Sequence, residues 1–184
     1  MMWLSVPLLL LAPITNHGDP ACVTSASQAS LAKRASPLDS VSFEFGGARV
    51  KVCYGRPSAR GRTMIGGMAI PLGKLWRTGA NEPTMIHTSG PITVAGVKLE
   101  PGTYSLYTIP EKEEWTIIIN RSTVQWGDEG SYDGVKKDEV GRGTAMVKPM
   151  ETHVEQFTIR HESKGSWGAL VLEWEKTRVV VPLK

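Results

Sequence analysis

The residues best suited to chemistry fall in two adjoining stretches. The first is Gly55-Arg56-Pro57-Ser58-Ala59-Arg60-Gly61-Arg62, part of a run from Arg49 to Arg77 that holds seven basic residues and no acidic one. Guanidinium groups grip carboxylate or phosphate in a two-pronged way, and glycines let backbone amides come close to a ligand. The second is Leu75-Trp76-Arg77-Thr78-Gly79-Ala80-Asn81-Glu82. An aromatic plate, a cation, an amide and a carboxylate in so short a stretch is the mixture of a polar ligand pocket. There the ring covers one face and the polar groups set orientation. On these residues the sequence supports a small polar ligand, anionic or carbohydrate-like, held by Arg56, Arg62, Trp76, Arg77 and Asn81. Trp126, in Gln125-Trp126-Gly127-Asp128, offers a further stacking face or a core plug at a strand end.

Two other readings of the same residues stay open. Glu82 can serve as general acid or base, with flanking arginines setting its protonation state and holding an oxyanion. A nearby cation lowers a carboxylate pKa and favours the base role. A glycosidase of the usual kind needs a second carboxylate about 5–10 Å away, and Asp128 and Glu129 are the candidates. The third reading is a structural or partner-binding module. In it Trp76 is buried, and an Arg77–Glu82 or Arg62–Glu82 ion pair ties loop to sheet without implying activity. No pair among His87, His153 and His161 has a recognised metal-ligand spacing, and no phosphate-binding glycine loop, nucleophile elbow or paired-cysteine motif is present. The sequence therefore calls for no metal and no cofactor. A formal charge of only +3 gives no broad attraction for a polyanion, so no nucleic-acid partner is expected.

The elements that must position these residues are strands. Nineteen glycines and twelve prolines punctuate short apolar runs, the pattern of turns in an all-β protein. Val41, Phe43 and Phe45 alternate with polar residues, Gly46-Gly47 interrupts, and Val50, Val52 and Tyr54 alternate again, which predicts a hairpin. Residues 55–73 read as a long loop. Short strands are predicted at Met85 to Thr88 and Ile92 to Leu99, the latter turning at Ala95-Gly96. Pro101-Gly102 turns into a strand containing Leu106. Ile117, Ile118 and Ile119 are consecutive, so both faces of that strand must be covered; it is placed centrally. Asp128 to Arg142 reads as a polar loop. Ala145 to Lys148, Val154 to Arg160, Ala169 to Trp174 and Arg178 to Leu183 are four further strands, the last two joined by a tight turn at Glu175-Lys176-Thr177. The fold expected is all-β: a two-layer antiparallel sandwich or jelly-roll-like domain over residues 39–184, preceded by a flexible leader and linker over residues 1–38.

The apolar run Met1 to Ile14 has the length of a signal-peptide core and is too short to span a bilayer. It predicts a periplasmic or secreted protein with no transmembrane span, although no basic residue precedes it and Pro7 interrupts it. Ala21-Cys22 raises lipid anchoring at Cys22 as a secondary reading. Residues 16–38 are rich in Ser, Ala and Thr and read as linker rather than core. Cys53 reads as a small core residue, and the spacing of the two cysteines gives no reason to join them. The sequence does not speak to oligomeric state.

Several of these motifs recur together elsewhere. Arg56-Pro57 with Gly61-Arg62, then Leu75 through Glu82, then Pro101-Gly102-Thr103-Tyr104-Ser105-Leu106, then Trp115-Thr116 and Gln125-Trp126-Gly127, resemble the bacterial exported family known as domain of unknown function 2911. The resemblance spans about Val41 to Leu183 and includes Leu172-Glu173-Trp174-Glu175. It implies a β-rich fold and export, and it supplies no activity, cofactor or catalytic residue. It does place Arg56, Arg62, Trp76, Arg77, Asn81 and Glu82 in the family's own motif.

Overall fold

The computed structural model describes residues 19–184, the side chain of Glu129 apart; the apolar leader of residues 1–14 lies outside them. Nine strands form one antiparallel sheet: β1 (Leu38–Phe45), β2 (Ala48–Gly55), β3 (Thr84–Thr88), β4 (Ile92–Val94), β5 (Val97–Leu99), β6 (Gly102–Ile109), β7 (Glu114–Asn120), β8 (Glu139–Lys164) and β9 (Trp167–Leu183). Their order in the sheet is β1-β2-β3-β6-β7-β8-β9-β4-β5. The β1–β2 hairpin has the predicted register, with Phe45 opposite Ala48. Gly46 and Gly47 both take positive φ, as a two-residue hairpin turn requires. β7 lies between β6 and β8. Ile117 and Ile119 enter the main core, while Ile118 packs on the opposite face with Tyr107 and Tyr132. Both faces of this strand are covered, as three consecutive isoleucines demand.

The sequence reading divides the C-terminal third into four strands. The structure joins them into two very long ones, and the join makes the second layer. β8 and β9 pair over most of their lengths, with register shifts between Pro149 and Val154 and between Val154 and Thr158. Extra residues on one strand bend it and increase its twist. Beyond the bend the two strands fold over β1 and β2. There Phe157 meets Tyr54 edge to face, His161 stacks on Phe43, and the Tyr54 hydroxyl accepts from the Ile159 amide. Glu175-Lys176-Thr177 is no hairpin turn but part of this irregularity, with Glu175 at φ 54. The turn lies instead at Gly165-Ser166, between β8 and β9.

Residues 128–142 are also more ordered than a polar loop. They hold two 3-10 turns, Glu129–Tyr132 and Lys136–Asp138, and the start of β8. Tyr132 is buried there and covers Ile118.

The larger correction concerns residues 19–37. They stay out of the core: none of their side chains is buried. They are not a free linker, however. Cys22 is bonded to Cys53, with the Cα atoms 5.7 Å apart. Cys53 lies on β2 beside core residues Val52 and Tyr54 but faces away from the main core, under this N-terminal strap. A spacing of 31 residues could not reveal the pair, because β1 and β2 must first fold back. The Cys22 sulfur is spent in the bridge, so lipid anchoring there is withdrawn. Disulfides persist in oxidising surroundings, and this one indicates a non-cytoplasmic compartment. Among the described residues no helix is long and apolar enough to cross a membrane.

Two outcomes follow for stability. Ile119→Ala empties a fully buried site on a central strand and should cost about 2–5 kcal/mol in urea unfolding. Replacing both cysteines by serine frees a 31-residue closure and should cost about 3–4 kcal/mol while the strap stays docked. A loss below about 1 kcal/mol would mean that the strap comes free once the bond is cut and recovers that entropy in the folded state, by the same loop-entropy argument.

Candidate functional site

The segment from Trp76 to Glu82 is fixed by the main chain and by one buried ring. Trp76 exchanges two backbone hydrogen bonds with Thr108 of β6. Its indole sits in the core, stacked on Trp174 at 6.0 Å and meeting Trp115 and Phe157 edge to face. The indole nitrogen donates to the Gly79 carbonyl 3.1 Å away. The chain therefore doubles back at once, with Thr78 at φ 57. Thr78 is held by Thr108 Oγ1, and its carbonyl accepts from Thr84 Oγ1. Asn81, at φ 67, makes the second reversal. Two glycines admit this double turn. A Cβ on Gly55 would lie 1.9 Å from the Ala80 carbonyl oxygen, and one on Gly127 would lie 2.1 Å from that of Asn81. The Asn81–Glu82 ridge thus runs between the end of β2 and the 123–127 loop.

The basic loop is pinned as firmly. Ala59 and Phe157 hydrogen-bond across to Glu155 and Pro57, and Ser58 bridges Gln156. The Glu175 carboxylate accepts from the Met64 and Ile65 amides. The bend in β8 and β9 therefore carries the loop.

The predicted site residues do not all meet in one pocket. Trp76, Arg77 and Asn81 line a recess of about 230 Å³ together with Pro57, Met64 and Ile70. Trp76 is only 4% exposed, so it reaches this recess as an edge; the expected open stacking plate is corrected to a core residue. Arg77 donates to the Asn81 carbonyl, and Asn81 donates to the Ser36 carbonyl. Arg56 turns away to Thr158 and Asp39, and Arg62 folds back onto the Ala59 and Ser58 carbonyls. Neither lines the recess, so the expected convergence of all three arginines is corrected. Trp126, half exposed, lies instead in a groove of about 320 Å³ with Glu82, Met85, Val124 and the strap residues Val23 and Thr24.

Glu82 has a partner that the sequence reading missed. Arg34 grips both carboxylate oxygens at 2.7 Å, and Thr24 donates to one of them. The expected pairing with Arg62 or Arg77 is replaced by one with the strap. Burial alone would push the Glu82 pKa up, but the hydrogen bonds from Arg34 and Thr24 outweigh it and hold the carboxyl below its usual range. The candidate second carboxylate, Asp128, caps the 3-10 turn through the Ser131 hydroxyl and amide. Those bonds, with the charge of Arg77, hold its pKa down too. Only one sequence signal pointed to Arg34: an exported chain with two cysteines invites a bridge, and a bridge would have brought residues 23–36 onto the sheet. The histidines are dispersed, His87 bonding Thr103, His153 beside Glu155 and His161 on Phe43. Among the described residues no cluster of His, Cys, Asp and Glu could hold a metal ion.

The chain belongs to the family described as a protein of unknown function, DUF2911, whose model matches residues 36–183. Comparison with curated proteins and with solved structures returned no match.

The strap should respond to charge and acid. Glu82→Gln orphans the Arg34 guanidinium. Breaking a buried pair costs about 3–5 kcal/mol, but that is a ceiling here, because a surface strap can carry Arg34 into water. Amide exchange over residues 24–36 should quicken at least tenfold while β7 stays protected. The depressed Glu82 pKa has the matching sign. Its contribution is complete above the ordinary carboxylate pKa of about 4.5 and is lost as pH falls through the folded value. Protection of the strap, taken against the intrinsic exchange rate at each pH, should therefore fall in acid in the wild type and change less in Glu82→Gln.

Proposed function

We propose that this member of the family is a periplasmic or secreted β-sandwich that binds a small polar ligand, anionic or carbohydrate-like, in the recess lined by Trp76, Arg77 and Asn81. Export fits the apolar leader and the disulfide. The observation that carries the binding reading is the backbone of the recess. Thr78 and Asn81, neither of them glycine, both hold positive φ within four residues. Such strain persists only where surrounding structure enforces it, and it gathers at ligand sites. Here it sets Arg77 and Asn81 along a cleft whose other wall is the apolar set Pro57, Met64 and Ile70. A cation and an amide against an apolar wall suit a ligand with a polar or charged head and a compact body.

A proton-transfer role for Glu82 has less support. Both of its oxygens are engaged, it lies across the ridge from the recess, and its low pKa leaves no proton to donate near neutrality. We assign it to docking of the strap.

The test is a thermal-shift screen of small carboxylates, phosphate esters and sugars, followed by calorimetry on any hit. Arg77→Ala should weaken the hit about tenfold or more, as expected for loss of a charge-assisted hydrogen bond. Arg62→Ala should leave affinity unchanged. Equal losses in both variants, or a hit that ignores Arg77, would overturn the assignment of the recess.

A further inference from the structure

The Glu82 carboxylate lies inside the region that the family model matches, yet its partner does not. The match begins at residue 36, whereas Thr24 and Arg34 precede it. A carboxylate only 8% exposed needs a counter-charge. This chain supplies one from a surface strap that buries no side chain of its own. The guanidinium sits in a two-pronged contact with both oxygens, the geometry by which a carboxylate recognises arginine. The groove of about 320 Å³ opens onto the same carboxylate. Among the described residues its lining contains no lysine, arginine or histidine, and Glu82 is its sole charged residue. Met85 and Val124 supply apolar surface, and the half-exposed Trp126 ring can face a cation or an aliphatic stem.

We propose that Glu82 and this groove form a binding site for a guanidinium-bearing side chain, and that Arg34 is its built-in occupant. With Arg34 seated the groove is neutral and closed to a second cation. With Arg34 withdrawn it presents one buried negative charge beside an aromatic face. The tether at Leu38 gives Arg34 a high effective concentration, so a ligand in solution competes poorly with it. The Cys22–Cys53 bond keeps the groove wall of Val23 and Thr24 in place whether or not Arg34 is seated. This site does not depend on the Arg77 recess, and the two readings fail separately: Arg77→Ala should not alter it.

The experiment titrates N-acetyl-L-argininamide and methylguanidinium into oxidised full-length wild type, Arg34→Ala, Arg34→Ala/Glu82→Gln and Arg34→Ala/Trp126→Ala, reading the indole N–H resonances. Arg34→Ala should bind N-acetyl-L-argininamide at least tenfold more tightly than wild type does, and Glu82→Gln should abolish the gain. Because the groove receives the body of the ligand, N-acetyl-L-argininamide should bind at least tenfold more tightly than methylguanidinium, and Trp126→Ala should erase that preference. If Arg34→Ala does not fold, Arg34→Gln carries the same titration. Three results would overturn the proposal: no gain without Arg34, binding indifferent to Glu82, or equal affinity for the two probes. The last would mean a vacated ion-pair hole with no groove site.

Discussion

An indole in the core has one polar atom to satisfy, and in Trp76 that atom dictates the turn that follows. The ring is held by three other aromatic residues drawn from both layers: Trp115 of β7, Phe157 of β8 and Trp174 of β9. An unpaired N–H there would be costly, because water cannot reach it. The Gly79 carbonyl meets it, so the chain must reverse within three residues. That reversal forces the positive φ of Thr78, brings Ala80 against Gly55, and sends Asn81 and Glu82 out along a ridge. Core packing thus enforces the strained turn on which the candidate site is built. The same ring that joins the layers decides where Arg77 and Glu82 point.

The second dependency runs through β8 and β9. Two antiparallel strands this long cannot stay flat, and the register shifts between Pro149 and Thr158 bend them. The bend places Phe157 and Trp174 over Trp76, and it also sets Glu155 and Glu175 against the basic loop. Acidic residues more than ninety positions away in sequence therefore organise a loop that contains none. The strap repeats this logic at the other end. One covalent bond, one ion pair and a few hydrogen bonds hold a segment with no buried side chain, which makes it the element most open to change without cost to the core.

Period-two alternation was enough to place β1 and β2, whose Gly46-Gly47 turn admits few geometries, and the unbroken run Ile117-Ile118-Ile119 was enough to place β7 centrally. The continuity of β8 was not legible. Residues 149–153 contain a proline and polar groups, which read as a break and are in fact a bulge spliced into a longer strand. Within the candidate site, Trp76, Arg77 and Asn81 share a recess as their spacing suggested. The dispersal of Arg56 and Arg62 was invisible, because it is set by Asp39, Thr158 and two backbone carbonyls. The pairing of Glu82 with Arg34 was hidden for the same reason as the disulfide: both join a segment without periodicity to one whose position only the folded sheet defines.

A run of seven basic residues without an acid is a property of the chain, whereas a ligand responds to the local field. Arg56 is beside Asp39, Arg60 approaches Glu155 through its amide and Ala35 through its guanidinium, and Arg62 spends its donors on carbonyls. What the sequence presents as one cationic patch becomes several arms directed to separate partners. The two cavities beside the Asn81–Glu82 ridge then differ in character. The recess has Arg77 as its charged wall, and the groove has Glu82. Arg77 and Glu82 thus put opposite charges on the two sides of one short ridge, and the Glu82 charge is met by Arg34. The strap touches both sides, through Ser36 on Asn81 and Arg34 on Glu82. Any movement of it would be felt in the recess and in the groove together.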